Sequence, residues 1–144
     1  MNKNRRNTLL ANAILLVWFA FCLTGLRIGN IWLVERELSD SIFLVIALVA
    51  FVLYVVKEKI GKFVLAGWLF MWFVAQFFCH WFYTIFGVSE EKLRSYNACF
   101  KDTYHIIPAS DTVLIPDLYH IVLHILILSA FLVTFRQIIA KKND

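Results

Sequence analysis

The sequence predicts an all-α integral membrane protein: one membrane domain over residues 1–144, built as a four-transmembrane-helix antiparallel bundle with an amphipathic helix on the outer face. Three observations predict it. Of 144 residues, 61% are apolar and only 17% are charged, too little polar surface to cover a soluble fold. The charges gather in five short stretches separated by four long, nearly uncharged runs. Those stretches alternate in net sign, the pattern that positive-inside sorting imposes on a multi-pass protein.

The first run extends from Leu9 to Leu26, and the span is taken as 9–27. Its basic start suits a secretory signal, but the apolar stretch is long for one and no small-residue cleavage site follows, so it is read as a span. The second span, 38–56, is almost purely aliphatic and reads as scaffold. The third, 63–86, contains 11 aromatic residues in 24 positions, enough to line a pocket for a flat or hydrophobic ligand or to pack against lipid. The fourth, 115–139, has Pro116 where the first helical turn tolerates proline, with Asp111 or Thr112 as caps if the helix begins earlier. Gly61 and Gly67 flank the start of the third span, where small residues permit close approach after the short turn Lys57 to Lys62.

Between the third and fourth spans, residues 89–107 read as an amphipathic helix. Ser89 is a suitable N-cap, Glu90 and Glu91 fall in the first turn, and Val88 with Leu93 has hydrophobic-staple spacing. Leu93, Tyr96, Phe100, Tyr104 and Ile107 recur at three- and four-residue intervals until Pro108 stops the helix. Such a helix would lie on the outer membrane surface and roof the bundle.

Orientation follows from charge. Lys3, Arg5 and Arg6 precede the first span; Lys57, Lys59 and Lys62 oppose only Glu58 in the next turn; Arg136, Lys141 and Lys142 oppose only Asp144 in the tail. On the other side, Arg27 and Arg36 face Glu35, Glu37 and Asp40, while Lys92, Arg94 and Lys101 face Glu90, Glu91, Asp102, Asp111 and Asp117. Both termini are therefore expected in the cytoplasm. For a bacterial source this places the chain in the cytoplasmic membrane, with membrane lipids as its surroundings. The formal net charge of +4 needs no nucleic-acid partner. A homo-oligomer or a larger membrane-protein partner is compatible with so small a chain.

Polar groups inside spans are costly unless paired, so each is a candidate functional residue. His80 lies six residues inside Phe86, roughly 9 Å at the helical rise, and His120 and His124 lie roughly 6 and 12 Å beyond Pro116. Because the third and fourth spans are antiparallel, all three imidazoles should share the outer third of the membrane. Asp117, His120 and His124 fall on one face of the fourth helix, and Gln76, His80 and Tyr83 on one face of the third. The two stripes should face each other, with His105, Asp111 and Cys99 approaching from above and Arg27, Asn30 and Asp40 nearby. The inner half, by contrast, is expected to be plain scaffold.

Three chemistries fit these residues. His120 and His124 have the spacing of two metal ligands on adjacent turns, and His80 with Asp117 or His105 completes four-coordination of a divalent ion such as zinc; Gln76 or Tyr83 then orients a ring. The glutamate of the H-E-x-x-H motif is absent. Alternatively, His80 on one helix and His124, or in second place His120, on the next supply axial ligands to haem b. In architecture and histidines the chain resembles small membrane cytochromes of the b type, which hold haem between neighbouring spans, although it lacks histidine pairs at two depths. A third reading needs no cofactor: Asp117 orients a histidine, His120 or His124 is the base, Tyr83 or the other histidine is the acid, and a lipid or other hydrophobic substrate enters from the bilayer past Trp72, with Lys92, Arg94 or Arg27 available to an anionic headgroup. A non-catalytic accessory subunit or small-molecule carrier is the competing class. Cys22, Cys79 and Cys99 form no C-x-x-C pair, and one bridge from Cys99 to Cys79 or Cys22 is compatible with the topology.

Overall fold

A computed structural model describes residues 2–140; the tail charges Lys141, Lys142 and Asp144 lie outside the described residues. Four helices are long and apolar enough to cross a membrane: Lys3–Thr24, Leu38–Val56, Glu58–Phe86 and Leu118–Ile139. The first begins six residues before the expected start at Leu9, because the Asn2 side chain caps the Asn4 amide and the polar turn that follows stays helical. The second agrees with the expected 38–56, and consists of a 3-10 turn, Leu38–Asp40, leading into α2, Ser41–Val56. The third begins at Glu58 rather than Phe63, since only Lys57 separates it from α2.

That connection is as tight as expected, and Gly61 is what permits it. A Cβ on Gly61 would stand 2.3 Å from the Tyr54 Cα, so only glycine fits where the two backbones meet. Gly67 does not act likewise: it is exposed and a Cβ there would meet nothing within 4 Å.

The third span is not one regular helix. It runs as α3, Glu58–Gln76, then a π-helical turn, Phe77–Trp81, then α4, Phe82–Phe86. A π turn inserts a residue into the helical register, so residues on its two sides no longer share the face that 3.6-residue spacing assigns. After it, α5 spans Glu90–Cys99 and α6 spans Leu118–Ile139.

The first helix, α1, Lys3–Thr24, packs on α6 and α2, and α3 packs on α2 and α6, closing a four-helix ring. Leu15, Phe19, Leu69, Trp72, Leu123 and Ile127 fill its centre, with the Phe19 and Trp72 rings edge to face at 4.5 Å. The outward faces carry exposed Ile14, Val17, Ile46, Val49, Phe70 and Ile125. Large apolar side chains displayed all round a bundle are what a lipid solvent accepts and water does not.

Between α1 and α2 the chain forms an antiparallel hairpin, β1 Leu26–Ile28 and β2 Ile31–Val34, which the sequence reading did not anticipate. Gly25, at φ 73°, makes the turn out of α1, and a Cβ there would stand 2.8 Å from the Trp32 ring. The hairpin also explains why the amphipathic helix stops at Cys99 instead of reaching residue 107. Thr103 bridges Trp32 and the Tyr104 amide donates to the Trp32 carbonyl at 2.8 Å, so this stretch is drawn onto the hairpin as extended chain. The Thr103 hydroxyl donates to the Phe100 carbonyl at 2.7 Å, a local bond that competes with continued helix. Leu93 is buried and Tyr96 and Phe100 are half-buried, whereas Tyr104 and Ile107 are exposed.

Candidate functional site

At the hairpin end of the bundle, α6 starts with Asp117 as its N-cap. Pro116 therefore precedes the helix rather than opening its first turn. Asp111 and Thr112 belong instead to a turn in which the Ser110 hydroxyl accepts from the amides of Thr112 and Val113. Asp117 is only 1% exposed, and its Oδ1 accepts from both the amide (3.1 Å) and Nδ1 (2.5 Å) of His120. One carboxylate oxygen thus caps the helix and fixes an imidazole, the expected i, i+3 relation made specific.

The His120 ring lies against the His80 ring, centroids 4.0 Å apart and planes 35° apart. His80, 9% exposed, reaches that position from the π turn, and its Nδ1 is 2.9 Å from the Tyr96 hydroxyl of α5. Burial pushes the Tyr96 phenol well above its usual pKa, with the nearby Asp117 charge adding to the effect, so it remains a neutral hydroxyl. Phe100 and Tyr119 close on His120 at 5.1 and 5.2 Å between ring centroids. The result is two hydrogen-bonded pairs, Asp117 with His120 and His80 with Tyr96, brought together by the contact of the two imidazole rings between the start of α6, the third long helix and α5. Both Nδ1 atoms are engaged, which leaves the two Nε2 atoms without a hydrogen-bond partner among the described residues.

The remaining expected residues distribute unevenly. His124 does lie on the Asp117 and His120 face, one turn deeper, but it packs between Phe73 at 4.4 Å and Trp81 at 5.9 Å, with Nδ1 buried and unpartnered. Gln76 is part-buried with a bare Oε1, and it makes no bond to His80 because the π turn intervenes. Tyr83 is carried to the rim, where the Lys92 ammonium sits 3.6 Å above its ring, and Tyr96 occupies the position beside the histidines. His105 turns back on its own chain, Nδ1 at 3.0 Å from the Thr103 carbonyl. Arg27 is exposed on the hairpin, bonded to Asn30 and stacked over Trp32. Trp72 is a core side chain rather than a pocket wall. All three cysteines are free, so the bridge from Cys99 to Cys79 or Cys22 is not formed.

These positions bear on the cofactor readings. Among the described residues no group of three His, Cys, Asp or Glu side chains is placed to hold a metal ion, so the expected set His80, His120, His124 and Asp117 does not assemble as ligands. The physical reason is that His124 is held between Phe73 and Trp81 and Asp117 is turned to the His120 Nδ1, so no third ligand joins His80 and His120. Haem meets a different obstacle. With His80 and His120 stacked at 4.0 Å, no macrocycle fits between them, and His124 faces Phe73 and Trp81.

The opposite end, expected to be plain, holds a second polar group that ties all four long helices. Arg5 Nε lies 3.2 Å from Glu58 Oε2, and Arg5 Nη2 donates to the Val55 carbonyl. Gln137 donates to Glu58 Oε1 and accepts from the Tyr54 hydroxyl, both at 2.7 Å. Asn12, 2% exposed, donates to the Thr8 carbonyl and to the Thr134 hydroxyl. Thr8, Asn12, Thr134 and Gln137 are isolated uncharged residues in long apolar runs, and their helical spacing, Thr8 with Asn12 and Thr134 with Gln137, is the signal the sequence carries.

An apolar groove on α2, lined by Leu48, Val49, Val52, Leu53, Val56 and Lys57, lies on the outward surface away from the histidine cluster. No protein-family model, curated protein or solved structure matches the chain.

Proposed function

We propose that the chain is a multi-pass membrane protein, both termini cytoplasmic, whose outer-third histidine cluster does cofactor-free acid–base work on a lipid or other amphipathic substrate. The observation that carries this is the buried Asp117, which holds the His120 Nδ1 and so presents Nε2 as the reactive nitrogen. Support for the membrane comes from the four apolar helices and from the alternating charge of the connecting segments.

In this reading His120 takes a proton from the substrate through Nε2, and Asp117 stabilises the imidazolium that results. The same Nε2 then returns that proton to the leaving side of the substrate, while His80, packed on the His120 ring and bonded to the Tyr96 hydroxyl, holds that ring in place. Stacked imidazoles disfavour a second positive charge, so the pair carries one proton at a time. Desolvation beneath Phe100 and Tyr119 strengthens each of these interactions.

The test is reconstitution of purified protein in nanodiscs containing a membrane lipid extract, with lipid products followed by mass spectrometry. Wild type should convert a lipid species that His120→Ala and Asp117→Asn leave untouched. Identical lipid profiles for wild type and His120→Ala, with the variant merely less stable, would move the chain to the accessory or carrier class. Metal analysis and an absorption spectrum of the same preparation give the third outcome: stoichiometric metal or a Soret band lost with His80→Ala would replace the cofactor-free reading.

A further inference from the structure

Asp117 spends one oxygen on His120 and leaves the other, Oδ2, buried without a partner. A carboxylate oxygen can only accept, so the missing partner is a donor. The Thr103 hydroxyl lies close to Asp117 but donates to the Phe100 carbonyl at 2.7 Å, and the Tyr96 hydroxyl is bonded to His80. A second carboxylate at this end, Asp40, is half-buried at the start of α2 and makes no capping hydrogen bond there.

Charge at this end points the same way. The two connecting segments carry five cations against eight anions. Two of those cations are engaged with rings, Arg27 over Trp32 and Lys92 over Tyr83. An anionic headgroup would meet the Asp117 and Asp40 carboxylates. A cationic one would meet two carboxylates beside the aromatic rings of Phe100 and Tyr119 that flank His120.

We infer that the hairpin-end site takes a protonated primary amine on an apolar tail, whose N–H groups fill Asp117 Oδ2 while the tail lies along the apolar bundle. The inference rests on reading this cluster as a ligand site, and it names the ligand class. Phe100, half-buried over His120, is the side chain that swings aside to admit the amine. The amine has two sources, a free amphiphilic amine or the ethanolamine headgroup of a phospholipid, with the same chemistry toward Asp117.

Calorimetric titration of the nanodisc-embedded protein with octylamine and with octanol, after subtracting partition into empty nanodiscs, tests the ligand class. Octylamine should bind about tenfold more tightly than octanol, and Asp117→Asn, which keeps a helix cap, should abolish that preference. Asp40→Asn, remote from the cap, should weaken octylamine by about threefold through lost charge alone. Equal binding of amine and alcohol, tighter binding of octyl phosphate, or an Asp117→Asn variant that retains the preference would each overturn the inference. Native mass spectrometry from mixed nanodiscs separates the sources: selective retention of phosphatidylethanolamine over phosphatidylglycerol assigns the headgroup, and octylamine binding without such retention assigns a free amine. Octylamine binding without lipid turnover keeps the inference and sinks the acid–base reading. Turnover lost in His120→Ala, with no amine preference, does the reverse.

Discussion

At the end of the bundle that holds the termini, Asn12, Thr134, Tyr54, Gln137 and Glu58 each meet a partner on another helix, and Arg5 completes the set by ion pairing. At the hairpin end, Asp117 Oδ2, Gln76 Oε1, His124 Nδ1 and the Tyr119 hydroxyl lie buried with none. A satisfied network contributes modestly to stability and specifies how helices dock. A bare buried carboxylate oxygen costs about 1–3 kcal/mol or more, and such groups persist where something other than stability retains them. Trp68 Nε1 is bare as well, and Arg5 Nε meets Glu58 as an ion pair without a well-formed hydrogen bond, so the two ends differ in degree, with the bare acceptors gathered at the hairpin end.

The largest effect that can break this comparison is His120→Ala. Lipid turnover should fall by about a hundredfold or more while the thermal midpoint changes little. A fall in activity no larger than the loss of folded protein would make the hairpin end structural as well. Gly61→Ala should show the opposite signature, a destabilisation of about 3 kcal/mol from backbone overlap with Tyr54, with turnover per folded molecule unchanged.

Tyr96→Phe sharpens the reading of the histidine cluster. It removes the hydroxyl bonded to His80 and should lower turnover by about tenfold, less than the hundredfold or more lost with a general acid or base itself. Hydrogen exchange across Glu90–Cys99 should speed up in parallel, because the same bond pins the roof helix. Unchanged exchange with reduced turnover would assign Tyr96 to the histidine pair alone. Asn12→Leu should cost about 0.6–2 kcal/mol in detergent-monitored unfolding and leave turnover per folded molecule as it was.

The smallest effect concerns pH. Hydrogen bonds from the Ser39 hydroxyl and amide hold the Glu37 carboxylate below its usual pKa. That contribution is present above the ordinary carboxylate range and is lost as pH falls through the lowered value. Acidification should therefore speed amide exchange at Leu38–Asp40, and Glu37→Gln should reproduce much of this at neutral pH. Exchange there that is indifferent to both changes would remove Glu37 as the anchor of the turn into α2.

Much of the outer site was legible in the residues. Antiparallel spans and helical rise put His80 and His120 at one depth, and the i, i+3 spacing put Asp117 beside His120; the structure places all three together. Tyr83 was the natural candidate for the fourth member because it follows His80 on an ideal helix. The π turn at Phe77–Trp81 removes that equivalence, and Tyr96 arrives from a separate helix that periodicity could only describe as amphipathic. The inner network went unread for a related reason: Thr8, Asn12, Thr134 and Gln137 are isolated uncharged residues in long apolar runs, and their significance appears only when α1, α2, α3 and α6 are docked.

Hydropathy, charge alternation and helical spacing are properties of one segment at a time, so the four apolar helices, the roof and the shared depth of the histidines could be read from the chain alone. Whether a buried donor finds its acceptor depends on the rotation and vertical register of two helices at once. A single π turn or an unforeseen hairpin resets both. Tertiary structure therefore decided which polar groups fasten the bundle and which were left with an atom to spare.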